Sequence, residues 1–249
     1  MFTRTLAIAL IVTGWAPAIL PAQTADERAA ARALVDKRSA AVVMVLATVK
    51  MRAPSGGREN ARDVPVQVNA TVLDPNGLAV MSLYALEPGS MQTGRGRGGE
   101  VTSETADLRI RTVDDREVPA RVVLRDPDLD LVFIRPVDPP ASPMTAIDGP
   151  TSTPSLLDLV VVVQRTPESL GWKTFASFGY VQMVMEKPQP YYVIGPAASA
   201  AGGLGFPVFD ATGGFVGVMA RIGGARTGGL AAVVPAEDVR EIAKQATGR

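Results

Sequence analysis

The sequence predicts a mainly β protein whose chain folds as two β-barrels, with a short helix at each end. Two observations support this fold class. Short apolar runs rich in valine recur along the chain and are separated by turn signals such as Asp74-Pro-Asn-Gly77 and Gly213-Gly214. A stretch rich in proline and small polar residues, 136–154, divides these runs into two halves.

The first 22 residues have the features of a secretory signal peptide. Arg4 precedes the apolar run 6–12, and Pro17, Pro21 and the small residue Ala22 follow. The alternative is a membrane anchor, which needs about 20 uninterrupted apolar residues, and the two prolines interrupt this segment. We therefore expect cleavage after Ala22, a periplasmic or secreted mature protein, and no stable membrane insertion after cleavage.

The composition argues against several classes of site. The chain has 25 basic and 25 acidic side chains, and it lacks the clustered Lys and Arg that bind nucleic-acid phosphates. It contains no Cys and no His, so disulfides cannot form and zinc or haem sites with the usual ligands are not expected. We expect no metal, no cofactor and no nucleic-acid partner.

The two helices are predicted at the ends of the mature chain. Residues 23–39 begin with a capping-box pattern at Thr24 and continue with alanine-rich helix formers. Residues 236–247 follow Pro235 and carry Glu237 and Asp238 in the first turn, ahead of an apolar stripe.

The strands are predicted from apolar and β-branched runs. They cover residues 41–50, 64–73, 78–84, 108–112, 118–124 and a run that ends at 135, then 156–164, 174–184, 191–194, 207–209, 215–219 and 228–235. Residues 52–63 and 87–103 are predicted to be loops, because they are rich in Gly or Pro and show no hydrophobic period.

A glycine-rich loop carries a resemblance to a known family. Residues 202–208 read Gly-Gly-Leu-Gly-Phe-Pro-Val, which resembles the Gly-Asn-Ser-Gly-Gly-Pro-Leu nucleophile loop of trypsin-fold serine proteases of the HtrA (Deg) type. Residues 78–86, 126–134 and 228–235 resemble further segments of that family, in the family's order.

The resemblance implies a fold for most of the chain. It implies two six-stranded antiparallel β-barrels of the trypsin-like fold within residues 40–249. The first barrel is expected at about 40–140 and the second at about 155–235, followed by the C-terminal helix. No PDZ domain is expected after that helix.

The resemblance also assigns the three positions of a catalytic triad. Tyr84 stands where the family has its histidine base, Asp130 matches the acid, and Leu204 replaces the nucleophilic serine. Leucine has no heteroatom that could attack a carbonyl, and a phenol at neutral pH donates a proton rather than accepting one. We therefore expect no catalytic residue, and we expect Asp130 to be hydrogen-bonded to backbone at a turn or strand start.

A remnant of the oxyanion loop is expected to persist, because its donors are backbone N–H groups. The loop consists of Gly202, Gly203, Leu204, Gly205 and Phe206. The resemblance places the donors at Gly202 and Leu204, whereas Phe206 stands where the family has glycine, and we expect its ring to fill the pocket or redirect the loop. This favours a filled, non-binding site over one in which a carbonyl still docks. Lys173 and Ser177 form an alternative nucleophile pair, although nothing in the sequence marks a cleft beside them.

These features predict an exported, proteolytically inactive trypsin-like domain that binds a peptide or protein partner. Two alternatives stay open: a serine-type hydrolase with a displaced or unusual active site, and a structural or assembly module of the envelope. The partner is unidentified, and the resemblance leaves a homo-oligomer open.

Overall fold

The computed structural model describes residues 25–55, 58–88, 102–187, 189–195, 203–223 and 229–247. The predicted signal peptide, Gly202 and most of the predicted loop 87–103 lie outside these ranges. Helix α1 spans Ala25–Arg38 and helix α2 spans Ala236–Thr247. Neither of these two described helices is long and apolar enough to cross a bilayer.

Twelve strands form the body of the described chain. They are β1 Val42–Ser55, β2 Arg58–Val72, β3 Ala79–Ser82, β4 Thr102–Arg111, β5 Glu117–Asp126, β6 Leu131–Pro136, β7 Leu159–Arg165, β8 Thr174–Met185, β9 Tyr191–Ile194, β10 Pro207–Asp210, β11 Phe215–Ile222 and β12 Leu230–Pro235. Three short 3-10 helices cover Ser39–Ala41, Leu83–Ala85 and Glu168–Leu170.

The strands close into two antiparallel barrels of six. The strand order is β1-β2-β3-β6-β5-β4 in the first barrel and β10-β11-β12-β9-β8-β7 in the second. Closure gives every strand a neighbouring strand on both sides, although β9 pairs with β8 only from Val181 onward. The predicted fold class of two six-stranded barrels with a helix at each end is confirmed.

Successive residues of the buried strands face different cores, as the two-residue period of a strand requires. On β6, Val132 and Ile134 belong to the interior of the first barrel, whereas Leu131 and Phe133 pack in a third cluster that lies between the barrels. The strand β7 repeats the pattern, with Val160 and Val162 inside the second barrel and Val161 and Val163 in the interbarrel cluster. Helix α2 covers that cluster with Val239 and Ile242.

Some predicted boundaries are wrong. The predicted loop 52–63 is a hairpin, because β1 and β2 stay paired through Arg52↔Ala61 as far as Ser55↔Arg58. Strand β4 begins at Thr102 rather than at 108, because it pairs with Arg52 of β1. These extensions are held by backbone pairing, and pairing of this kind leaves no hydrophobic period in the sequence.

Two polar side chains connect the barrels. The side chain of Asn69 on β2 accepts a hydrogen bond from Arg165 N at 2.6 Å and donates one to Arg165 O at 3.2 Å. The guanidinium of Arg165 then donates to Val42 O and Ser39 O, both at 3.0 Å. The start of β1 is thereby tied to the end of β7.

The glycine-rich loop of the second barrel rests directly on the first barrel. Gly205 has a φ of +80°, and a Cβ at this position would lie 2.0 Å from Asn69 O. Thr71 Oγ1 donates to Gly205 O at 2.9 Å, and Gly205 N donates to Met219 O at 2.7 Å. Only glycine combines this backbone conformation with so close an approach.

We predict that Gly205→Ala lowers the free energy of unfolding by roughly 2–5 kcal/mol, because the methyl group meets immovable backbone and the residue is held at positive φ. Gly171→Ala is the matched control. Its φ is +74°, but its nearest neighbour would be Lys173 Cε at 3.8 Å, so we expect a loss of about 1–2 kcal/mol from strain alone. Urea denaturation measures both variants, and equal losses would contradict the interbarrel contact.

Candidate functional site

Asp130 is a buried carboxylate at the junction of the two barrels. It follows β5 in the turn before β6, adopts a φ of +56° and is only 2% exposed. Its Oδ2 accepts hydrogen bonds from Ser82 Oγ at 2.5 Å and from Arg221 N at 2.7 Å, and its Oδ1 accepts one from Tyr84 N at 2.7 Å. Ser82 and Tyr84 belong to the first barrel and Arg221 belongs to the second. The carboxylate therefore connects the two barrels.

The burial of Asp130 alters its acidity. Removal from water disfavours the charged form and raises the pKa of Asp130 from 3.8 to about 6. The hydrogen bonds from Ser82, Arg221 N and Tyr84 N, together with the positive charge of Arg221, act in the opposite direction. Near pH 7 the carboxylate is therefore largely ionised.

Tyr84 occupies the position expected for a histidine base, and its ring is engaged in packing. It lies in the 3-10 helix Leu83–Ala85 that follows β3, not in the predicted strand. The guanidinium carbon of Arg221 lies 4.2 Å from the centre of the Tyr84 ring, which is the geometry of a cation–π contact. A cation therefore covers the aromatic face.

Gly229 holds the other side of the Arg221 side chain. Gly229 has a φ of +65°, and a Cβ there would lie 2.1 Å from Arg221 Nε. Arg221 thus contacts both the Tyr84 ring and the Gly229 backbone. It was not predicted as a site residue, although a charged residue in the otherwise apolar run of β11 was a visible signal.

Leu204 is half-buried, and its side chain packs against the interior of the second barrel. Gly203 lies beside it, and a Cβ at this position would lie 3.1 Å from Gln164 Oε1 and 3.3 Å from Asn69 Nδ2. Phe206 is fully buried in the same barrel interior, together with Val208 and Val216. The core of the second barrel therefore accommodates the ring that stands where the family has glycine.

The geometry brings Tyr84 and Asp130 into direct contact and places the Leu204 loop against the first barrel beside β3. The predicted base position holds a tyrosine and the predicted nucleophile position holds a leucine. The alternative pair is not assembled as a shared strand face, because Lys173 precedes β8 and only Ser177 lies in it. Among the described residues, no three acidic side chains are grouped to hold a metal ion.

We predict that the protonated form of Asp130 stabilises the fold more than its ionised form does. Its pKa is higher in the folded state than the ordinary 3.8, so this contribution is full below pH 3.8 and is lost as the pH rises through about 6. The change is roughly 3 kcal/mol. Asp130→Asn removes it, so the difference in free energy of unfolding between the two proteins should vary from pH 4 to pH 7 in urea titrations. Parallel curves would contradict the assignment.

Comparison with known proteins agrees with this geometry. A family model described as a trypsin-like peptidase domain matches residues 95–218. No curated protein sequence matches the chain. A solved structure of a variant of the HtrA-type protease AlgW, with a tripeptide, is similar with a TM-score of 0.56 and 15% identity over 86% of this chain, and this chain covers 62% of that protease chain. The chain therefore has the trypsin-like fold of the HtrA-type proteases.

Proposed function

We propose that this chain is an exported, proteolytically inactive trypsin-like domain that acts by binding a peptide or protein partner. One observation carries the proposal: the positions of the base and the nucleophile hold Tyr84, whose ring is stacked under Arg221, and Leu204, which packs against a barrel core. Export rests on the signal-peptide pattern of residues 1–22.

The chemistry of hydrolysis supports inactivity. Acyl transfer in this fold needs a hydroxyl nucleophile and a base that removes its proton. Without both, the oxyanion hole and binding retain only about 10³–10⁴ of the acceleration over water. Imidazole cannot be supplied from elsewhere in the chain, which contains no histidine.

Peptide binding is supported by the glycine-rich loop and its backbone N–H donors. The loop that bears Leu204 stays fixed on the first barrel through Gly205 and Thr71, and backbone donors do not depend on the side chain that was replaced. The HtrA-type structure with the same fold was solved with a tripeptide. We infer that a peptide is the class of ligand that this chain binds, with Arg221 at the centre of the site.

We predict that the purified chain hydrolyses no denatured casein and is not labelled by a fluorophosphonate, a serine-reactive probe. Trypsin is the positive control for both assays. The proposal would be overturned by turnover and labelling that both disappear in one serine-to-alanine variant, such as Ser82→Ala or Ser177→Ala. A contaminating protease would not respond to that substitution, so this outcome would reveal a displaced active site.

We predict that Arg221→Ala weakens peptide binding by about tenfold, because a guanidinium forms charge-assisted hydrogen bonds with peptide oxygens. The backbone N–H that binds Asp130 is unchanged in this variant. Peptides are selected from an immobilised hexapeptide pool, and the Kd of the strongest is measured for the unmodified chain, Arg221→Ala and the control Arg62→Ala. Equal affinities for all three, or no peptide retained, would contradict binding at this site.

A further inference from the structure

A groove separates α1 from the second barrel. It encloses about 320 Å³ and is lined by one face of the helix and by β7 and β8. This volume lies at the lower end of the range for small-molecule sites, roughly 300–1,000 Å³. None of its lining residues belongs to the degenerate triad.

The helix presents a regular stripe to the groove. Its lining residues are Arg28, Ala31, Arg32, Val35 and Asp36, a spacing of 3, 4, 7 and 8 from the first, which selects one face of an α-helix. Ala31 and Val35 also pack against the interbarrel cluster. The charged side chains at 28, 32 and 36 form a row of their own along this face, each one turn from the next.

The floor of the groove is apolar apart from Ser177, the serine of the alternative nucleophile pair. Val161 of β7 pairs with Phe178 of β8, and Ala176 lies two residues away on the same face. Val161 is 2% exposed, whereas Phe178 is half-buried and Ala176 is exposed. Part of this apolar surface is therefore in contact with solvent.

The face of the sheet offers no backbone group to an occupant of this groove, because the N–H and C=O groups of a strand lie in the plane of the sheet. Beneath the groove, β7 and β8 pair with each other from Leu159↔Tyr180 to Arg165↔Thr174, whereas β9 pairs with β8 only from Val181 onward. A peptide laid on this face would bury its own N–H and C=O groups without partners, which is costly. A hydrocarbon chain carries no such groups, so the floor favours an acyl chain.

The rim of the groove is positively charged at one end and negatively charged at the other. Arg28 and Arg32 make no ion pair with any other residue in the part of the chain that the structure describes. They lie one helical turn apart, and Asp36 lies about 12 Å from Arg28 along the axis. An anionic head group is therefore favoured at the Arg28 end and disfavoured at the Asp36 end.

We propose that the groove binds a fatty-acid anion of medium chain length. Its hydrocarbon chain lies on Val161, Phe178 and Ala176, and its carboxylate accepts hydrogen bonds from Arg28 and Arg32. The site does not depend on the peptide-binding function proposed above, and it gives the chain a second ligand class.

Calorimetric titration of the purified chain with dodecanoate, below its micelle concentration, tests the proposal. We expect saturable binding that weakens at least about tenfold in Arg28→Gln/Arg32→Gln, since each loses charge-assisted hydrogen bonds. Arg62→Gln is the matched control and should bind as the unmodified chain does. Ala176→Trp should abolish binding, because it fills the groove from an exposed position, and circular dichroism checks its fold.

Dodecyltrimethylammonium has the same hydrocarbon chain with the opposite charge, and we expect it not to bind. Its binding as tightly as dodecanoate would overturn the role of the arginines. Absence of saturable dodecanoate binding would overturn the site itself. Tighter binding of a leucine tetrapeptide than of dodecanoate, lost in Ala176→Trp, would assign the groove to a peptide instead.

Discussion

The carboxylate of Asp130 is the contact on which the junction of the two barrels depends. It is almost fully buried, and it accepts hydrogen bonds from the end of β3 and from β11 at the same time. A buried carboxylate that loses a hydrogen-bond donor destabilises the fold by about 1–3 kcal/mol or more, because its desolvation is then uncompensated. The two backbone donors are therefore held in place, and with them the positions of Tyr84 and Arg221.

The hydrogen bonds to Asp130 also determine where the Tyr84 and Arg221 side chains lie. Because Tyr84 N and Arg221 N bind the same carboxylate, their side chains emerge close together, and the aromatic ring and the guanidinium stack. The glycine-rich loop is fixed separately, through Gly205 against β2. The trypsin-like scaffold thus holds Asp130 and the glycine-rich loop at the same junction, while Tyr84 packs against Arg221 and Leu204 packs against the interior of the second barrel.

The barrels could be predicted from sequence because their signals are local. Valine-rich runs and Gly-Gly or Asp-x-x-Gly turns define the strands, and the helix α2 was recognisable from Pro235, its first-turn acids and its apolar stripe. The outer hairpin of β1 and β2 could not be predicted, because its residues show no hydrophobic period and are held by backbone pairing. The triad positions were assigned from the order of the segments, and that assignment stays a prediction.

The roles of Arg221 and Ser82 could not be predicted from the sequence either. Both act on a carboxylate that is far away in sequence, and only the closed barrels bring them to it. Phe206 shows the opposite case: its size was visible, but the direction of its side chain depended on the register of β10 and β11, which places it inside the barrel.

Native-state hydrogen exchange of the Tyr84 and Arg221 amides at pH 7 tests the central claim most directly. If Asp130 joins the two barrels, both amides open only when the whole domain unfolds, and their exchange free energy equals the global free energy of unfolding. Fast exchange of either amide through local fluctuation would contradict the account, because it would show that the junction opens within the folded protein.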